Sequence, residues 1–113
     1  MDATTALMEL VGVSTQVVEV VVSGPSGSVE AARTPSDTRA RELADAGADL
    51  LSRAGAIRSG APVGRVQVDL QRGSLVAVTE GGRTIVATTI ADPTAALVAL
   101  DLRTVLRRVG EEA

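Results

Sequence analysis

Apolar residues recur along this chain with two periods, and the most regular stretch runs from Thr34 to Arg58. There Ala40, Leu43, Gly47, Leu50, Ala54 and Ile57 follow alternating spacings of three and four, which places them on one face of a helix. Thr34-Pro35-Ser36-Asp37 predicts the start: a hydroxyl N-cap, proline at the first helical position, and a carboxylate three residues after the cap to close a capping box. The seam residues are small. With Ala44, Ala48 and Leu51 beside them, the helix has more buriable surface than one contact stripe needs, and Gly47 and the alanines allow close backbone approach. A sheet beneath and a second helix alongside both suit it; the alternative is an ordinary sheet-covering helix in a monomer.

Around this helix the period changes. Leu7, Met8, Leu10 and Val11 predict a short first helix from about Asp2 to Val11, capped by Asp2 or Thr4 and broken by Gly12. Gln16 to Ser23 is a β-branched run, with Val17, Val18, Val20, Val21 and Val22 interrupted only by Glu19, and reads as a strand covered on both faces. Gly24-Pro25-Ser26-Gly27 turns the chain into a second strand, Ser28 to Arg33; a plain turn is the reading preferred over a phosphate-cradling loop. Beyond the long helix, Ser59-Gly60-Ala61-Pro62 is a helix-stopping loop, and Arg65 to Gln71 alternates cleanly, with Val66, Val68 and Leu70 on one side. Arg72-Gly73 leads into Ser74 to Thr79, Glu80-Gly81-Gly82-Arg83 makes a tight hairpin turn, and Thr84 to Ile90 is a fifth strand covered on both faces. Asp92-Pro93 then caps and opens a final helix through Ala95, Val98, Leu102, Val105, Leu106 and Val109, ending at Gly110 with Arg103, Arg107 and Arg108 near its C-terminus.

Strand character orders the sheet. The first and fifth strands, apolar on both faces, belong together at the centre; hairpins then place the second beside the first, the fourth beside the fifth and the third outermost. The predicted fold is a single α/β domain over residues 1–113, a three-layer α/β/α sandwich with a five-stranded, mainly antiparallel sheet in the order 2-1-5-4-3. One helix covers one face and the two terminal helices the other. The third strand is left as an edge with an aliphatic face and neither lysine nor proline to guard it.

Composition narrows the chemistry. The chain has 113 residues, enough for one core but not two, and its 45% hydrophobic and 22% charged content is that of a globular domain. It contains no Phe, Tyr, Trp, Cys or His, and also no Lys or Asn, so all eleven basic residues are arginine. Without His or Cys there is no hydrolytic triad, no thiolate and no zinc or iron site of the usual ligands. Without Lys there is no Schiff base and no P-loop lysine, so the chain is not expected to bind or hydrolyse nucleotide itself. A net charge of -3 and no aromatic ring argue against nucleic acid as a partner. No cofactor, metal or catalytic residue is expected. An enzyme reading would have to rest on acid/base work by Asp69 or Glu80, both more economically read as solvated charges. The N-terminus lacks the basic flank of a signal peptide and no apolar run is long enough for a membrane span, so a cytoplasmic location is expected.

The element order resembles the roadblock/LC7 domains, including the bacterial partners of small Ras-like GTPases, a fold class with profilin-like relatives. The resemblance runs through the valine strand, the Gly24-Pro25-Ser26-Gly27 hairpin, the Ala-rich helix from Pro35 to Ile57, the meander ending in Ile85-Val86-Ala87-Thr88-Thr89, and the closing helix with Leu97-Val98 and Asp101-Leu102-Arg103. The first helix is short for that family, and the lack of aromatics is unusual in it. The resemblance implies a homodimer through the middle helix and third strand, with Ala40, Leu43, Gly47, Leu50, Ala54, Val66, Val68 and Leu70 at the interface. It further implies a regulator or scaffold of a small Ras-like GTPase that modulates hydrolysis, as a GTPase-activating protein would. No single arginine can be nominated for such a role, because not every family member is thought to insert one. A purely structural dimerisation platform in a signalling or motility complex is the alternative. On the helix face away from the seam, Arg39, Glu42, Asp45, Asp49 and Arg53 form a mixed-charge strip that is either a partner-reading face or simply solvated.

Overall fold

The structure, a computed structural model, describes residues 2–57 and 63–111. In chain order these form α1 (Ala3–Val13), β1 (Val17–Ser23), β2 (Val29–Arg33), α2 (Asp37–Ile57), β3 (Arg65–Leu70), β4 (Gly73–Glu80), β5 (Arg83–Thr89) and α3 (Ala95–Gly110). The strands make one antiparallel sheet in the order β2-β1-β5-β4-β3, as the strand character predicts. Arg58, the expected helix end, and the Ser59-Gly60-Ala61-Pro62 loop lie outside the described residues.

The sheet separates two cores, and the two-residue side-chain period of the strands assigns residues to them. On one face Val20, Val22, Val76, Val78, Ile85 and Ala87 pack with Leu7 and Leu10 of α1 and with Val98, Leu102, Val105 and Leu106 of α3. On the other, Val21, Ala77 and Val86 meet Ala40, Leu43 and Ala44 of α2. The central strands are thus buried on both sides, while each helix buries one stripe. Two bulges adjust the pairing of β1: Val17 and Glu19 oppose Thr89 and Thr88, leaving Val18 as an extra residue, and Val22 and Ser23 oppose Ala31 and Val29, skipping Glu30.

Element boundaries correct the sequence reading in four places. Helix α1 runs through Gly12 to Val13, because a Cβ at Gly12 would meet nothing within 4 Å and an exposed glycine inside a helix costs only about 1 kcal/mol. The cap of α2 is Ser36 rather than Thr34: the backbone N–H of Arg39 donates to Ser36 Oγ at 3.1 Å, while the Thr34 hydroxyl donates to the Ser36 carbonyl. Helix α3 starts at Ala95, not at Pro93. Asp92 has φ 51°, in the left-handed region rather than the extended backbone typical of an N-cap, and the Thr94 N–H is taken up by the Gln16 side chain instead. Strand β4 opens at Gly73, after a turn at Gln71-Arg72. The hairpin at Gly81-Gly82 keeps its predicted form, with φ of 63° and 81°.

Candidate functional site

Helix α2 crosses the sheet. Arg39, in its first turn, lies over β1, Gly47 lies over β5, and the helix also contacts β4 and β3, so its C-terminal half carries on toward the β3 edge. At Arg39 the guanidinium donates twice to Glu19, Nε to Oε2 at 2.7 Å and Nη2 to Oε1 at 3.0 Å, and Thr88 Oγ1 donates to the same carboxylate at 3.1 Å. The lone charge in the valine run is therefore a clamp between sheet and helix. The Arg39 hydrogen bond, set against the desolvation of a carboxylate only 15% exposed, holds Glu19 below its ordinary pKa. This corrects the place of Arg39 in the mixed-charge strip: it bends down onto the sheet, with Glu42 a looser neighbour at 3.8 Å. Glu42, Asp45 and Asp49 stay exposed, as does Arg53, which pairs with Asp49 at 2.8 Å.

The seam of α2 divides in two. Ala40 and Leu43 are each 3% exposed within this one chain, and a Cβ on Gly47 would sit 2.2 Å from Val86 Cγ2. These three expected interface residues face their own sheet, which corrects their assignment: they have no surface to give a second chain. The close backbone approach that Gly47 permits is helix on strand. Further along, the helical rotation of 100° per residue carries Leu50 and Ile57 off this buried stripe to one flank. Leu50 and Ala54 are half-buried, and Ile57 is 81% exposed.

On the same side of the sheet β3 is under-covered. Val66 and Val68 pair with Ala77 and Leu75, so they and Leu70 share the α2 face, yet both valines are only half-buried and Leu70 is 57% exposed. Among the described residues strand β3 has one neighbour, β4, and its outer backbone row is unpaired. An open aliphatic edge and an uncovered helix flank thus adjoin each other. Asp69 lies below its ordinary pKa because Gln67 and Ser74 donate to its carboxylate, and Glu80 accepts from Arg107 at 3.2 Å. Among the described residues no group of three His, Cys, Asp or Glu side chains could hold a metal, and no helix is long and apolar enough to cross a membrane.

One helix on one face of a five-stranded antiparallel sheet and two terminal helices on the other make a three-layer α/β/α architecture, with β3 at one edge of the sheet. The chain has the roadblock/LC7 fold. A roadblock/LC7 domain from Streptomyces avermitilis superposes with a TM-score of 0.82 at 21% identity, covering 96% of this chain and 95% of that one. The gliding protein MglB from Thermus thermophilus gives 0.72 at 20% identity, covering 98% and 90%. An MglB with a tetrameric arrangement gives 0.71 at 15% identity, covering 96% and 85%. Neither a protein-family model nor a curated protein sequence matches the chain.

Proposed function

We propose that this chain works as a cytoplasmic homodimer that regulates or scaffolds a small Ras-like GTPase and modulates its hydrolysis without binding nucleotide itself. The observation that carries the dimer is the β3 edge, unpaired among the described residues, beside the half-buried Leu50, Ala54, Val66 and Val68 and the exposed Ile57 and Leu70. A twofold contact through this patch extends the sheet and covers the apolar flank at once. The GTPase partner is supported by the resemblance of the sequence to roadblock/LC7 partners of such enzymes, together with a fold similar to that of a gliding protein, MglB. Glu42, Asp45, Asp49 and Arg53, with Arg39 at their base, are the strip that would read the partner's switch regions.

The test is capture of a Ras-like GTPase from the same genome, loaded in turn with a GTP analogue and with GDP, alongside calorimetry of this chain with nucleotide alone. Binding in one loaded state and no heat with free nucleotide is expected. A second reading, a structural platform that never touches a GTPase, draws on the tetrameric arrangement of one MglB; absence of capture in both loaded states would favour it.

A further inference from the structure

On the face opposite α2, helices α1 and α3 leave a groove between them over the middle of the sheet. Helix α1 rests on β2 and β1, and α3 on β4 and β5. Two ties show that the helices run antiparallel: Arg108 donates to Glu9, and the Thr94 N–H donates to Gln16 Oε1 at 2.5 Å. Between α1 and α3 lies an open cavity of about 380 Å³. Its floor is formed by Ala6, Leu10 and Val105, all buried. The cavity stays open because Ala6 is small and Gly12 has no side chain; a Cβ at Gly12 would meet nothing within 4 Å. Apolar surface continues along its walls. Val13 is 77% exposed, and Leu97 and Leu100 are exposed four residues before Asp101 and Thr104, on the flank of α3 that lines the cavity.

The polar groups beside this floor are acceptors in need of donors. Asp101 has neither hydrogen bond nor ion pair among the described residues. Thr104 donates its hydroxyl proton to the Leu100 carbonyl at 2.9 Å, which leaves its oxygen to accept. We propose that the groove binds an amphipathic helix of another protein, with aliphatic side chains one turn apart seated in the groove and an arginine or lysine set beside Asp101. Helices α1 and α3 satisfy their backbone groups internally, so they have none with which to pair an added strand, whereas two antiparallel helices present ridges between which a third helix packs. The carboxylates at the rim and the net charge of -3 disfavour the anionic surface of a membrane. The site needs neither the β3 edge nor the charged strip on α2, and both stay free when it is filled.

The test uses the full chain and a displayed library of alanine-rich helical peptides, each about 15 residues long and randomised along one face and its flanks. Selected peptides are expected to carry aliphatic residues at spacings of three and four with arginine or lysine on one flank, and to bind Gly12→Gln and Asp101→Arg about tenfold more weakly than wild type. Gly12→Gln fills the groove from an unobstructed position, so the variant keeps its fold, which circular dichroism checks. Exchanging the peptide's flanking cation for glutamate should bring its binding to Asp101→Arg within about threefold of the original pair. A library that yields no binder, or peptides that bind both variants as tightly as wild type, would overturn the site. Two further outcomes would overturn it by naming another occupant: binding of the wild type to phosphatidylglycerol vesicles that Gly12→Gln abolishes assigns the groove to a membrane, and a halved mass of Gly12→Gln in light scattering assigns it to a second copy.

Discussion

Three glycines separate the physical roles that one residue type can take. At Gly12 a Cβ would meet nothing, so Gly12→Ala is expected to stabilise α1 by about 0.5–1 kcal/mol. At Gly47 the gain in helix propensity is outweighed by a contact of 2.2 Å to Val86, and Gly47→Ala should cost about 1–2 kcal/mol net. Gly73 has φ 147°, and a Cβ there would lie 2.0 Å from the Thr89 carbonyl oxygen, so Gly73→Ala should cost more than about 2 kcal/mol. Urea titration followed by circular dichroism reads all three, since the chain has no tryptophan. Glu19 adds a pH dependence. Its folded pKa lies below the ordinary 4.5, so its contribution is fully present above that value and is lost as pH falls through the lowered folded value. Glu19→Gln is expected to cost about 1–2 kcal/mol at neutral pH, reduced by the partial exposure of Arg39, and to flatten the loss of stability below pH 4.5.

At the scale of elements, strand identity and sheet order were legible because β1 and β5 must be apolar on both faces while β3 alternates; burial alone dictates their places. Which side of α2 serves which neighbour was not legible. Ala40, Leu43, Gly47, Leu50, Ala54 and Ile57 form one seam by spacing, yet a helix crossing a twisted sheet buries the first half of such a seam and leaves the second half at the edge. Nor did spacing reveal that Arg39 would bend to Glu19, since that pairing joins two elements across 20 positions of sequence. The split seam changes the expected effect of substitutions. Gly47→Arg should unfold the domain rather than merely dissociate it, whereas Val68→Lys, on a half-buried edge position, should leave the circular dichroism spectrum and melting temperature of the monomer nearly intact while abolishing self-association. Sedimentation velocity distinguishes the two variants.

For the whole molecule, the proposed role follows from what the chain lacks as much as from what it presents. The chain has no His, Cys or Lys, its Asp69 and Glu80 carboxylates are hydrogen-bonded, and the β3 edge with the adjoining end of α2 leaves Ile57 and Leu70 exposed. That surface completes itself most simply with a second copy. Light scattering coupled to size exclusion, with concentration read by refractive index because the chain has no aromatic residue, tests this directly. At tens of micromolar the proposed homodimer gives twice the 11.5 kDa chain mass for the wild type; a mass of 11.5 kDa at that concentration would rule the homodimer out.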